Sequence, residues 1–139
     1  MRAPRVRRAP VPADAILVVR GDARNRETDR LQAEAFLRRY PDWKRFGLSG
    51  YFARNDEEID DLASDLLDRF SALSVLKASD LVAADFEVVP TFRSPHVTIA
   101  FTGDLDVRLG ELAQLIDRTM SNPYHVREPD QPDGEGTLR

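Results

Sequence analysis

Cysteine is absent from the 139 residues, which excludes disulfides, thiolate-bound metals and a cysteine nucleophile. Histidine occurs only at His96 and His125, so a zinc or iron site would need ligands gathered from distant parts of the chain, and none is expected. The longest apolar run, Ala15 to Val19, falls far short of the roughly 20 residues that span a bilayer. No apolar signal core follows the basic first residues, so no secretory signal is expected. No glycine-rich loop with a lysine follows a strand, and no dinucleotide-binding fingerprint is present. Ser49, in Gly47-Leu48-Ser49-Gly50-Tyr51, has its second glycine one position too early for a nucleophile elbow.

What is present belongs to a globular chain. Apolar residues make up 42% and charged residues 32%, enough for one domain with a single substantial core. Lys44 and Lys77 are the only lysines among 20 basic side chains, a usage that fits a GC-rich, bacterial coding genome. The net charge of −4 is unevenly spread. Arg2, Arg5, Arg7 and Arg8 alternate with prolines in the first dozen residues, and seven acids fall between Asp56 and Asp68. Residues 1–13 read as a disordered Arg/Pro tail, 14–125 as the domain and 126–139 as a disordered acidic tail. A cytoplasmic location is the expectation.

Within the domain the periodicity alternates. Ala15–Arg20 reads as a strand buried on both faces. Ala33, Phe36, Leu37 and Tyr40 stripe a helix from Thr28 to Tyr40, which Pro41 ends. Phe46–Ala53 returns as a strand. Asp56–Phe70 is a second helix with Asn55 as N-cap, Glu58 completing a capping box and acids in the first turn. Ala72–Lys77 is a strand and Ser79–Ala84 a single helical turn. Phe86–Thr102 is a hairpin, and a last helix carries Leu105, Leu109, Leu112, Ile116 and Met120 inward. The expectation is an α+β fold, a single sheet of about five strands packed by three helices in the order β-α-β-α-β-β-β-α. Pro90 cannot donate to a ladder, which places its strand at an edge or a bulge.

The hairpin carries the chemistry. Alternation puts Phe86, Val88, Pro90, Phe92, Val97, Ile99 and Phe101 on one side. Glu87, Thr91, Arg93, His96, Thr98 and Thr102 then share the other. Side chains two apart on a strand point the same way, so His96 and Thr98 can reach one phosphate oxygen, the imidazole moving a proton and the hydroxyl donating a hydrogen bond. His96-Val97-Thr98-Ile99 resembles the His-x-Thr-x signature of two-histidine phosphoesterases, which implies action on cyclic or 2′-5′ phosphodiesters. The signature occurs once, since no hydroxyl lies two positions after His125. A histidine that merely begins an antiparallel strand explains the same residues. Should Asn122-Pro123-Tyr124-His125 fold back over the sheet, His125 would join His96.

A second resemblance covers the first half. Arg20 closes a strand, a helix follows, and Phe46 to Phe52 forms another strand before an acidic helix. This order resembles small bacterial ADP-ribosyltransferase-fold proteins. The resemblance implies that Arg20 grips the phosphates or ribose of NAD, that Ser49 or Tyr51 shapes the nicotinamide pocket, and that Glu87 steadies the transition state. An arginine capping a strand, with a glycine-rich strand under a helix, accounts for the same order.

Two functions follow. One is a binding or interaction module, such as one component of a toxin–antitoxin-type pair. It would hold a protein partner, or nucleic acid through Arg2, Arg5, Arg7 and Arg8, because guanidinium pairs bidentately with phosphate. The other is a small enzyme acting on a nucleotide or RNA, with Arg20 as anion anchor and His96 as acid or base, and with NAD as cofactor on the ADP-ribosyltransferase reading.

Overall fold

The apolar run after Ala15 forms strand β1, Leu17–Gly21, whose alternate side chains enter two different cores. A computed structural model describes residues 3–12, 15, 17–21 and 26–125. After β1 come helix α1, Arg26–Arg39, a 3₁₀ turn at Pro41–Trp43, strand β2, Phe46–Ala53, and helix α2, Asp56–Asp65. Strand β3, Ala72–Lys77, runs directly into helix α3, Ala78–Ala83. Strands β4, Glu87–Pro90, and β5, His96–Phe101, form the hairpin, followed by helix α4, Leu105–Gln114, and strand β6, Ile116–Ser121. The six strands make one sheet in the order β4-β5-β2-β1-β3-β6, antiparallel at every pairing. The fold is therefore α+β, with one strand and one helix more than expected.

Val18, Leu48, Leu76, Val97, Ile99 and Phe101 lie on one face of the sheet, in a core with Ala33, Leu81, Phe86, Leu109 and Leu112. Val19, Ala53, Leu73 and Val75 lie on the other, under Ile59, Leu62, Ala63 and Leu67. The central place of β1 explains why its sequence is apolar without alternation.

β1 and β2 part company early. Their register covers only Leu17 to Val19 against Tyr51 to Ala53. Further along β2, the backbone of Ser49 is satisfied by side chains instead: its N–H donates to Gln32 Oε1 at 3.0 Å and its carbonyl accepts from Arg20 Nε at 3.0 Å. The Phe36 ring lies over Gly47 so closely that a Cβ there would sit 2.6 Å from it. Helix α1 thus lies beside the stretch of β2 that β1 has left.

Several expectations change. The second helix stops at Asp65 rather than Phe70, and Asn122 Nδ2 donates to the carbonyls of Ala63 at 3.2 Å and Leu67 at 2.9 Å. The last helix stops at Gln114, and Ile116–Ser121 joins β3 as an edge strand. Ile116 and Met120 are four apart, a spacing that suits a helical stripe and a strand alike. A register shift between Val75 and Leu76 sends Ile116 to the first core and Met120 to the second. Asn122 to His125 therefore leaves β6 and packs on α2, far from His96: the Tyr124 hydroxyl donates to Asp60 at 2.7 Å and His125 Nδ1 meets the Asp68 carbonyl at 3.2 Å.

The Arg/Pro segment, expected to be loose, is tied down over part of its length. Val6 bridges Thr91, Arg7 N–H donates to the Pro90 carbonyl at 2.8 Å, and Phe92 N–H donates to the Arg5 carbonyl at 2.9 Å. Val11 packs against the first core. Backbone pairing along the β4 edge and one apolar anchor offset the ordering entropy. Residues 126–139 lie outside the described residues.

Asn122 is 6% exposed and bonds two carbonyls that the end of α2 leaves open. Asn122→Ala is expected to lower stability by about 1–3 kcal/mol, read as a fall in urea midpoint at unchanged m-value.

Candidate functional site

Arg20 leaves β1 where the strands diverge and is only 4% exposed. Its NH1 and NH2 donate to the two carboxylate oxygens of Asp29, at 3.2 and 2.8 Å, while its Nε holds the Ser49 carbonyl. Asp29 stands in the first turn of α1. This is a buried, bidentate clasp joining β1, β2 and α1, its charge neutralised from within. Beside it opens a cleft of about 320 Å³ lined by Arg20, Gly21, Asp29, Gln32, Ser49, Tyr51, Leu67, Arg69 and Phe70, among others. Three expected site residues, Arg20, Ser49 and Tyr51, meet here. Ser49 and Tyr51 project from the same face of β2.

Across β2, Tyr51 is opposite His96, and their rings meet edge to face at 5.3 Å. Phe92 flanks the other side of the imidazole at 5.2 Å. His96 Nδ1 lies 2.9 Å from Thr91 Oγ1, which in turn lies 2.7 Å from Thr98 Oγ1. His96 and Thr98 share a face as expected, but Thr98 is buried and its hydroxyl is occupied by Thr91. The Arg7 guanidinium closes this corner, its NH1 donating to the carbonyls of Thr91 at 2.8 Å and His96 at 2.7 Å. Burial pushes the His96 pKa below the usual imidazole value; a Thr91 backbone hydrogen bond pulls it part of the way back, and the nearby Arg7 charge adds a lesser downward push. The net effect favours the neutral ring over the imidazolium.

Phe92 departs from its expected apolar side. Its φ of 57° turns the chain, leaving the ring 38% exposed between His96 and Tyr40. A bulky residue in this region is strained. Around it, Arg5, Val6, Arg7, Arg8, Arg93 and Ser94 line a surface depression of about 670 Å³. Arg5, Arg8 and Arg93 are exposed, and their guanidinium groups have no ion-pair or hydrogen-bond partner among the described residues. Arg2 lies outside those residues.

The remaining expected residues lie elsewhere. Glu87, the carboxylate of the ADP-ribosyltransferase resemblance, pairs with Arg45 at 3.1 Å on the outside of β4. His125 belongs to the β6–α2 corner. No cluster of three or more metal-binding side chains forms among the described residues. Sequence reasoning missed Asp29, Gln32, Arg69 and Phe70, because nothing local marks a first-turn aspartate or a post-helix arginine as cleft residues. Comparison with known proteins gives no match to a family model, to a curated protein or to a solved structure.

Two outcomes check the clasp and the imidazole. Arg20→Met strands a buried carboxylate and is expected to cost about 3–5 kcal/mol, whereas Arg20→Met combined with Asp29→Leu recovers much of that loss; urea unfolding of the single and double variants reads both. Since the folded-state pKa of His96 is lowered, its contribution is fully present above the ordinary value of 6.5 and is lost as the pH falls through the folded-state value. The fall in stability between neutral pH and pH 5 is therefore expected to be smaller in His96→Gln than in the unmodified chain.

Proposed function

We propose that this chain is a binding module that holds single-stranded nucleic acid on the surface formed by Arg5, Arg8, Arg93 and Phe92. The observation that carries the reading is the convergence on an exposed aromatic ring of three guanidinium groups with no partner among the described residues. Six arginines are neutralised by the chain's own acids: Arg20 by Asp29, Arg30 by Asp106, Arg45 by Glu87, Arg54 by Glu58, Arg108 by Glu111 and Arg118 by Asp56. The chain has four more acidic than basic side chains (24 against 20), yet Arg5, Arg8 and Arg93 meet no carboxylate among the described residues. Mutual repulsion among them is relieved by an anion from outside.

The ring favours nucleic acid over an acidic peptide. Guanidinium forks match phosphate oxygens, and an exposed aromatic beside them offers a stacking surface to any base. Phe92 is held in place by Tyr40 and His96 on its flanks, so little rotamer freedom remains to be lost on binding.

Fluorescence anisotropy with a labelled single-stranded oligonucleotide, repeated over a salt series, tests this. Replacing Arg5, Arg8 and Arg93 together by alanine is expected to weaken binding at least tenfold and to reduce the salt slope by about 2, at roughly 0.7 per phosphate contact. Phe92→Ala should weaken binding by about 1–3 kcal/mol with the slope unchanged. Equal affinity of the unmodified chain and the triple variant would refute the reading.

A further inference from the structure

We propose that the cleft between β2 and the segment after α2 is a separate binding site for a small organic anion. Its ligand carries one carboxylate or phosphate on a compact aromatic or apolar body. The site shares no lining residue with the arginine surface. At about 320 Å³ it lies at the lower end of the roughly 300–1,000 Å³ range of small-molecule pockets, which calls for a compact ligand.

Charge sets the sign of that ligand. Among the described residues, the charged ones lining the cleft are Arg20, Arg69 and Asp29, two cations and one anion, a balance of +1. Arg20 and Asp29 are closed upon each other, so the surplus resides on Arg69. Its guanidinium is exposed and stands over the Phe70 ring at 5.1 Å, with no carboxylate or hydrogen-bond acceptor among the described residues. A guanidinium already held against an aromatic face loses little freedom when it takes a carboxylate or phosphate.

The walls define the body. Leu67 and Phe70 supply an apolar side. Phe70 is seated there because position 21 is glycine: a Cβ would sit 2.4 Å from its ring. Opposite them, the hydroxyls of Ser49 and Tyr51 line the cleft and have no hydrogen-bond partner among the described residues. One apolar wall, with two hydroxyls and one cation that have no partner among the described residues, fits a ring or short hydrocarbon whose anionic group reaches Arg69 and whose polar substituents meet the hydroxyls.

Calorimetry on the full chain tests this with phenyl phosphate and phenylacetate, set against inorganic phosphate, acetate and benzyl alcohol. The two ring-bearing anions are expected to bind, and the headgroup preferred between them identifies carboxylate or phosphate as the natural charge. The three fragments should each bind at least tenfold more weakly. Arg69→Ala should reduce affinity roughly tenfold or more, Arg69→Lys should restore part of it, and Tyr51→Phe should weaken binding by a smaller factor. The variant lacking Arg5, Arg8 and Arg93 should bind as the unmodified chain does. The inference is overturned if neither ring-bearing anion binds more tightly than about 1 mM, if the fragments bind equally well, or if Arg69→Ala and Arg69→Gln, folded by circular dichroism, retain full affinity. It is also overturned if binding follows the arginine-surface variant, since the ligand would then sit at the other site.

Discussion

The Arg20–Asp29 pair stands where the sheet opens, and the arrangement around it depends on that position. Two charges withdrawn from water are tolerable only when their hydrogen-bonding capacity is met. Here the carboxylate accepts two guanidinium N–H groups while Nε takes the carbonyl of Ser49. The pair therefore fixes three elements at once: the end of β1, the first turn of α1 and the unpaired part of β2. Gln32 completes the closure from the next turn of the helix. Because β1 swings away from β2 here, a concave space remains between β2 and the chain following α2, whereas a sheet paired along its full length would have filled it with backbone.

Much of this fold could be read from local pattern. The capping box at Asn55 and Glu58 sets the start of α2, the acids of its first turn match the helix dipole, and Ile59, Leu62 and Ala63 face inward. The apolar side of the hairpin is likewise paired as the alternation requires, Val88 against Ile99 and Pro90 against Val97, with Pro90 on the edge strand. Reading failed where long-range contacts overrule a local period. Leu105 through Met120 presents apolar residues at intervals of three or four, and only pairing with β3, together with a shifted register, makes its second half a strand. The helix signal at Leu66 to Phe70 failed for a related reason: Leu67 and Phe70 pack into the second core from an irregular segment.

The site was legible in part. Alternation along β2 places Ser49 and Tyr51 together, and alternation along β5 places His96 with Thr98. The adjacency of Tyr51 and His96 follows from strand pairing, which no single-chain pattern specifies. The role of Arg20 was not legible, because its partner is nine residues away in the next element and turns an apparent anion anchor into an internal clasp. Glu87 and His125 illustrate the same limit. Both are chemically suitable residue types, and the topology delivers one to Arg45 and the other to Asp68.

The first residues of the chain shape how copies of the molecule can meet. Residues 5 to 7 lie against the Pro90 end of β4 and the turn beyond it, bonded to Pro90 and Phe92 and bridged to Thr91. The Pro90 end of that margin is shielded from strand addition, and β6 forms the opposite margin of the sheet. β6 carries Asp117 and Arg118 at a shifted register, features that discourage growth by strand stacking.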